Sequence, residues 1–282
     1  MSQAKGGRKN RGGRYNKKIN IGDKGREVVE SINENNSVVQ QFRAYALELD
    51  DKHDRFERIV KLGRDITIQS KRIIFLLHTI DKKSKQESVI LEVKTRLQNL
   101  VDSYFKSIAA ELENQDAYQY LKAYRGSLEE YIEAETFYQY LQDENLGSWM
   151  QLEKTLTYKV EEEDAALKTL HTLVTPYEYI LGIADLTGEL MRKCINNLAT
   201  GDIASCYHTC NFVRYMYKGF LGCTNTPNRE INRKLGTLKQ SLQKMENVCY
   251  TIKVRGSEIP KHILVDVATE KYADSDEGYQ GY

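Results

Sequence analysis

The sequence predicts an all-α protein, a single domain built as an antiparallel bundle of about seven helices. Only three prolines interrupt the 282 residues, which favours long helices. Apolar residues recur at helical spacing through most of the chain from about residue 36 onward. No segment with the alternating pattern of a β-strand stands out. These observations together favour helix packed on helix.

Helices in the first half of the chain are predicted from apolar periodicity and from the polar segments that interrupt it. The first helical region is either one long helix or two helices end to end. This region starts at about residue 36 and is followed by a polar connection at 81–86, a helix over 87–113, a break at 114–116 and a helix over about 117–143. The stretch at 144–174 is predicted to hold a short helix around Trp149 and then a surface loop or second short helix.

Capping residues mark two helices in the second half of the chain. Thr175 is the predicted N-cap of one helix, with Pro176 at its first position and Glu178 completing a capping box. This helix is expected to end by Gly201. Asp202 is then the predicted N-cap of the next helix.

The last long helix is predicted to start at Thr226–Pro227 and to end at Gly256, before a short helix that reaches about residue 268. Its apolar residues repeat every seven positions. Packing of this stripe in the core is favoured over a free-standing coiled coil, because the repeat is short. The stripe consists of Ile231, Leu235, Leu238, Leu242, Met245, Cys249 and Ile252.

Charge is distributed unevenly along the chain, although the formal net charge is only +1. Residues 1–20 carry seven Lys or Arg and no acid, whereas residues 272–282 carry acids and no base. We therefore expect a disordered basic tail at 1–34 and a disordered acidic tail at 269–282, on either side of a helical domain at 35–268. The basic end suggests nuclear import or an RNA tether.

Composition and motifs argue against several classes of protein. No apolar run is long enough to span a membrane, and the N-terminus lacks the apolar region of a signal peptide. The five cysteines are widely spread without a CxxC pair, which argues against a zinc site or a disulfide framework. A location in the cytoplasm and nucleus fits this pattern. Motifs for a serine nucleophile or a phosphate-binding loop are absent.

The helix predicted from Pro176 carries an acidic pair. Asp185 and Glu189 are four residues apart and therefore share one helix face. We expect Gly182 and Gly188 to flank them, leaving an acidic, hollow face opposite the apolar one. Arg192 lies one turn beyond Glu189, and it is either its salt-bridge partner or a clamp for phosphate.

A second acidic pair lies in the helix predicted over 117–143. Glu130 and Glu133 are three residues apart, on a face with small and apolar neighbours. Glu129 and Glu135 are expected on other faces, exposed to solvent. Like charges one turn apart destabilise a helix unless something neutralises them.

Four carboxylates from two helices could form an oxygen-only site for a hard cation such as Mg²⁺, with Mn²⁺ as an alternative. The competing interpretation is four solvated surface acids, because helical bundles contain many such pairs. A di-iron bundle is disfavoured because the chain contains no Glu-x-x-His. The basic residues available for phosphate contact are Arg64, Lys71, Arg72, Arg192 and Lys193.

Five stretches in order resemble the translin family, over roughly residues 40–268. The stretches at 237–250 and 253–262, together with ADLTGELMR within 179–196, resemble the branch that partners translin more closely than translin itself. The stretches are ERIVKLGRDITIQSKRIIFLLH at 57–78, EEYIEAETF at 129–137, YILGIADLTGELMRKCIN at 179–196, TLKQSLQKMENVCY at 237–250 and KVRGSEIPKH at 253–262.

This resemblance implies a translin-like helical fold and a closed hetero-oligomeric shell formed with translin. It implies the catalytic subunit of a magnesium-dependent endoribonuclease that cleaves single-stranded or nicked RNA, including passenger-strand fragments during RISC activation and tRNA fragments. Single-stranded DNA is a further candidate ligand. The family's acidic residues match Glu130, Glu133, Asp185 and Glu189, as catalytic residues and metal ligands. The alternative function is a non-catalytic adaptor that stabilises translin and helps bind RNA or DNA.

Overall fold

A computed structural model of the protein describes residues 25, 32–33, 35–80, 83–161, 167–223 and 229–256. Most of the predicted basic tail, the start at Thr226–Pro227, the short helix after Gly256 and the acidic tail lie outside the described residues. Contacts divide the chain into two units, residues 1–53 and residues 54–282.

The described part of the chain is an all-α bundle with one small β-hairpin. A π-helical segment, Leu100–Phe105, joins helices α2 and α3, so that residues 83–111 form one continuous helical run. Counting that run once, the described residues form seven helices, as predicted. The helices are α1 (Ser37–His78), α2 (Lys83–Asn99), α3 (Lys106–Glu111), α4 (Ala117–Asp143), α5 (Trp149–Thr155), α6 (Pro176–Thr200), α7 (Ile203–Gly222) and α8 (Arg229–Arg255).

The first helical region is one unbroken helix, α1, rather than two. In the unit that ends at residue 53, its large apolar side chains are exposed, including Phe42 and Leu49. Its buried residues begin at Ile59, in the second unit. The apolar periodicity therefore predicted the helix correctly, but it did not show which turns are buried.

The expectation that the chain contains no strand was wrong. Strands β1 (Thr157–Glu161) and β2 (Leu167–His171) pair as an antiparallel hairpin. Every second residue of each strand is only partly buried and the others are exposed. The partly buried positions of β1 are apolar, Tyr158 and Val160, whereas those of β2 are Lys168 and Leu170, so only β1 alternates clearly. The strands replace the loop or second short helix expected between Trp149 and the start of α6.

The hairpin packs against the π-helical segment. Tyr158 Oη donates to the carbonyl of Val101 at 2.9 Å, and Thr172 Oγ1, just after β2, donates to the carbonyl of Phe105 at 2.8 Å. A π-helical turn widens the helix and disturbs its regular backbone hydrogen bonds. The two hydroxyl donors therefore reach carbonyls at the point where the helix departs from α geometry.

Helix α6 lies at the centre of the second unit and contacts α4, α7 and α8. Its predicted end is confirmed, because Gly201 closes the helix with φ 80°. The Asp202 cap is confirmed as well, since its carboxylate accepts from the Ser205 amide at 3.1 Å. These caps fix the length of α6 and the direction of the helix that follows.

The seven-residue stripe of α8 faces the core of this unit. All of its members are buried except Leu235, which is partly buried. The preference for core packing is therefore confirmed for these residues. None of the described helices is long and apolar enough to cross a membrane.

Candidate active site

Helix α6 begins at a cap that also ties it to α4. Thr175 Oγ1 accepts from the Tyr177 amide at 3.2 Å, as expected for an N-cap. The carboxylate of Glu178 accepts from the Thr175 hydroxyl and, at 2.8 Å, from Nη2 of Arg125 on α4. Glu178 is buried, so this pair fixes the start of α6 against α4.

Gly182 lies in the tight contact between α4 and α6 rather than on a hollow acidic face. A Cβ added there would lie 2.6 Å from Ile132 Cβ and 3.0 Å from the carbonyl oxygen of Glu129. Gly188 has open space around it and lines a cleft, as predicted. Only one of the two glycines therefore opens space beside the acids. The other allows the helices to approach closely.

The cleft between α4, α6 and α8 has a volume of ≈ 550 Å³. Three of the four predicted acids, Glu130, Glu133 and Asp185, line it. Glu189 is not among the lining residues, but its charge contributes to the raised pKa of Glu133. The structure thus brings the two predicted pairs together on neighbouring helices.

Three of these acids are each held by a different base. Asp185 Oδ2 accepts from Lys234 Nζ at 2.6 Å. Glu130 Oε1 lies 3.1 Å from the Nζ of Lys71, which belongs to α1. The third acid, Glu189, pairs with a histidine at the end of the same helix.

The histidine is His78, whose Nε2 lies 2.5 Å from Glu189 Oε2. Its ring is nearly buried and packs against Phe137, with ring centroids 4.9 Å apart. The hydrogen bond with His78 lowers the pKa of Glu189, although burial acts in the opposite direction. Arg192 Nη1 lies 3.8 Å from the same carboxylate oxygen, so Glu189 contacts both His78 and Arg192.

Glu133 is the acid in the cleft that has no hydrogen-bond or ion-pair partner among the described residues. The pKa of Glu133 is raised to about 8, first by burial and then by the nearby charges of Asp185, Glu189 and Glu130. Lys234 acts in the opposite direction. The cleft therefore favours the protonated, neutral form of Glu133.

The predicted enclosure of a metal by four carboxylates is not preformed. Within the described ranges, no group of three or more His, Cys, Asp or Glu side chains is placed to hold a metal ion. The physical reason is that Asp185, Glu130 and Glu189 are each turned toward a base. The donor set nevertheless fits Mg²⁺, because it is made of carboxyl oxygens around an acid, Glu133, that has no ion-pair partner among the described residues.

Two glutamates that were expected to be exposed to solvent are instead held by hydrogen bonds with neighbouring side chains. Glu129 Oε2 accepts from Lys234 Nζ at 2.6 Å, and burial raises the pKa of Glu129 despite this contact. Glu135 is partly buried and accepts from Gln139 Nε2 at 2.9 Å. Both expectations were wrong because the helix α4 is covered on more sides than its own sequence pattern indicates.

The sequence pattern does not mark Lys234, His78 and Glu129 as members of this site. Their contacts join residues 49 to 111 positions apart in the chain. No local spacing signals such contacts. The nearest hint was that two acids one turn apart need neutralising, but spacing does not identify the base that does so.

The predicted phosphate-binding residues are divided between this site and other surfaces. Lys71 and Arg192 contact site acids. Lys193 lines a separate polar cavity of ≈ 690 Å³. Arg64 is exposed on α1, and Arg72 borders a small apolar depression on the same helix.

Comparison with known proteins places the chain in a family. The Translin family profile matches residues 54–256. Translin-associated protein X of Pongo abelii is 40% identical over 281 residues, which covers 95% of this chain and 97% of that protein. The Rattus norvegicus protein of the same name is 42% identical over 246 residues, covering 83% and 84%. Human translin is more distant, at 22% identity over 208 residues, which cover 73% of this chain and 88% of translin.

Solved structures show the same fold. AfC3PO matches with a TM-score of 0.56 at 20% identity, covering 78% of this chain and 100% of its own. An AfC3PO complex with duplex RNA matches with a TM-score of 0.54 at 17% identity, covering 82% and 98%. The chain belongs to the Translin family and is similar over most of its length to translin-associated protein X.

Proposed function

We propose that this chain is the catalytic subunit of a magnesium-dependent endoribonuclease that assembles with translin. The observation that carries the proposal is Glu133, an acid without a partner in the described part of the chain, in a cleft that it shares with Glu130 and Asp185. A cluster of carboxyl groups is suited to a hard divalent cation, which prefers oxygen ligands. The similarity to translin-associated protein X supports the assembly with translin.

The substrate we propose is single-stranded or nicked RNA, such as passenger-strand fragments in RISC activation and tRNA fragments. The similarity in fold to AfC3PO, which has been solved with duplex RNA, supports a nucleic-acid ligand. The cleft is open to solvent along α6 and α8, where Arg233 and Gly188 line it.

Glu133, Glu130, Asp185 and Glu189 would hold the cation. A bound Mg²⁺ would supply charge neutralisation at the phosphate and lower the pKa of a coordinated water. One of the four carboxylates would accept the proton of the attacking water. Arg192 is exposed beside Glu189 and would contact the scissile phosphate.

Single substitutions of two site acids test the proposal. Glu133→Ala and Asp185→Ala are produced in the full chain co-expressed with translin and assayed on single-stranded RNA with Mg²⁺. We expect each to lower the cleavage rate by about 100-fold. Glu153→Ala, which removes an exposed acid on α5, is the matched control and should cleave normally. Full cleavage by both site variants would contradict the assignment.

A non-catalytic adaptor is the second candidate function. It is favoured by the pairing of Asp185, Glu130 and Glu189 with bases, since such pairs also occur as structural salt bridges. The stripe of α8 offers this candidate less support, because its residues are buried within the chain itself. Cleavage that is abolished by chelation of Mg²⁺ and restored by adding it back would favour the enzyme over the adaptor.

A further inference from the structure

Lys234 is the cation most deeply placed in the carboxylate cleft. Its Nζ lies 2.6 Å from Glu129 Oε2, 2.6 Å from Asp185 Oδ2 and 3.1 Å from the carbonyl oxygen of Leu181. An ammonium group has three N–H donors, so these contacts use all of them. The side chain is only 11% exposed.

The other basic residues at the cleft are far more open to solvent. Lys71, which contacts Glu130, is 62% exposed, and Arg233 is exposed as well. A buried ammonium is tolerated when nearby acids compensate for its lost hydration. Glu129 and Asp185 provide this compensation from two different helices, so Lys234 ties α8 to both α4 and α6.

We propose that Lys234 is an internal counter-ion that competes with the divalent metal for Asp185. This inference rests on the metal site of the proposed function. A cation bound at the Asp185 carboxylate would lie within a few ångströms of the Lys234 ammonium, and like charges at that separation repel strongly when solvent is partly excluded. The metal therefore binds at Asp185 only when the ammonium leaves Oδ2.

The lysine side chain permits this exchange. Its flexible four-carbon stem can swing while the backbone of α8 stays in place. Glu129 is also in contact with Nζ and can retain the ammonium when Asp185 is taken by the metal. Lys234 is thus a positioning residue: it balances the charge of Asp185 before the metal arrives and yields that carboxylate afterwards.

The test is Mn²⁺ affinity, measured by electron paramagnetic resonance of the free ion on the full chain co-purified with translin. Lys234→Met removes the competing charge and should lower the Kd for Mn²⁺ by about tenfold. Lys234→Arg keeps the charge and should bind Mn²⁺ nearly as the unmodified chain does. Lys239→Met removes an exposed lysine from the same helix and should leave the Kd unchanged.

An unchanged or higher Kd in Lys234→Met would overturn the inference and leave the proposed function standing. Lys234→Gln is measured in parallel, and circular dichroism melts confirm that each variant is folded, so a folding defect in one variant does not decide the result. If the unmodified chain and all variants fail to bind Mn²⁺, the inference and the metal site both fall. If Mn²⁺ binds but Glu133→Ala and Asp185→Ala both cleave RNA fully, the proposed function falls by itself.

Discussion

His78 and Glu189 join the end of helix α1 to the middle of helix α6 through a hydrogen bond of 2.5 Å. The two residues are 111 positions apart, and both side chains are largely shielded from solvent. Because Glu189 lies one turn beyond Asp185 on the same face of α6, this contact fixes the position of one of the two acids of that face. His78 therefore helps to define the site although it does not line the cleft.

Replacing His78 by Phe should weaken both stability and cleavage. The ring contact with Phe137 would remain, but the partly buried Glu189 would lose its hydrogen bond with His78, at a cost of about 1–3 kcal/mol in the free energy of unfolding. We expect cleavage to fall about tenfold, as for other residues that orient ligands. Urea unfolding at pH 7 and the RNA assay measure the two effects.

The same variant has a defined pH dependence. Because His78 lowers the pKa of Glu189, its contribution to stability is present above the ordinary glutamate pKa and is lost as the pH falls through the lowered value. The difference in the free energy of unfolding between His78→Phe and the unmodified chain should therefore shrink in acid. His208→Gln, at an exposed pair with Glu144, is the control and should change stability by less than about 1 kcal/mol. Equal urea midpoints at pH 7 for His78→Phe and the unmodified chain would disprove the role of His78.

Gly182→Ala should destabilise the protein by about 1–3 kcal/mol, because its Cβ would meet Ile132 and the backbone of α4. The strain would separate α4 from α6, and with them Glu133 from Asp185. Gly188→Ala on the same helix is the matched control, since a Cβ there meets nothing within 4 Å. We expect it to be neutral or stabilising by up to about 1 kcal/mol. Thermal unfolding of both variants checks the prediction, and similar losses in the two would refute it.

Glu133→Gln should stabilise the protein relative to the unmodified chain, and this advantage should grow as the pH rises. The pKa of Glu133 is raised from 4.5 to about 8, so between these values the folded chain binds more protons than the unfolded chain. The free energy of unfolding of the unmodified chain therefore falls with rising pH across this window, and a glutamine removes the effect. Urea unfolding without divalent metal at pH 5 and pH 8.5 should show a larger advantage for Gln at the higher pH. Parallel pH profiles for the two proteins would rule this out, and Glu153→Gln serves as a control.

The basic N-terminus gives a prediction about location. Residues 1–20 hold seven Lys or Arg without an acid, and we propose that they direct part of the protein to the nucleus while the rest stays in the cytoplasm. Changing these seven residues to Gln should abolish nuclear enrichment of a fluorescent fusion and leave RNA cleavage unchanged. A matched variant that exchanges Lys for Arg at the same positions should still enter the nucleus. Unaltered nuclear enrichment of the Gln variant would count against the proposal.

Much of the fold could be predicted from the sequence because the signals are local. Thr175 and Pro176 start α6, and Gly201 ends it, through contacts within a few residues. The hairpin was missed because its strands are only five residues long and the alternation of Tyr158 and Val160 in β1 has no counterpart in β2. The π-helical segment was missed because apolar spacing over 87–113 is compatible with a regular helix.

The sequence by itself determined the helices, their caps and the two acidic pairs, since each depends on residues a turn or two apart. Only the tertiary structure decided what those acids face: Lys234 on Asp185, Lys71 on Glu130, His78 on Glu189, and no partner on Glu133 among the described residues. Charge compensation is set by distance in space, and in a bundle that distance depends on how helices far apart in the chain pack together.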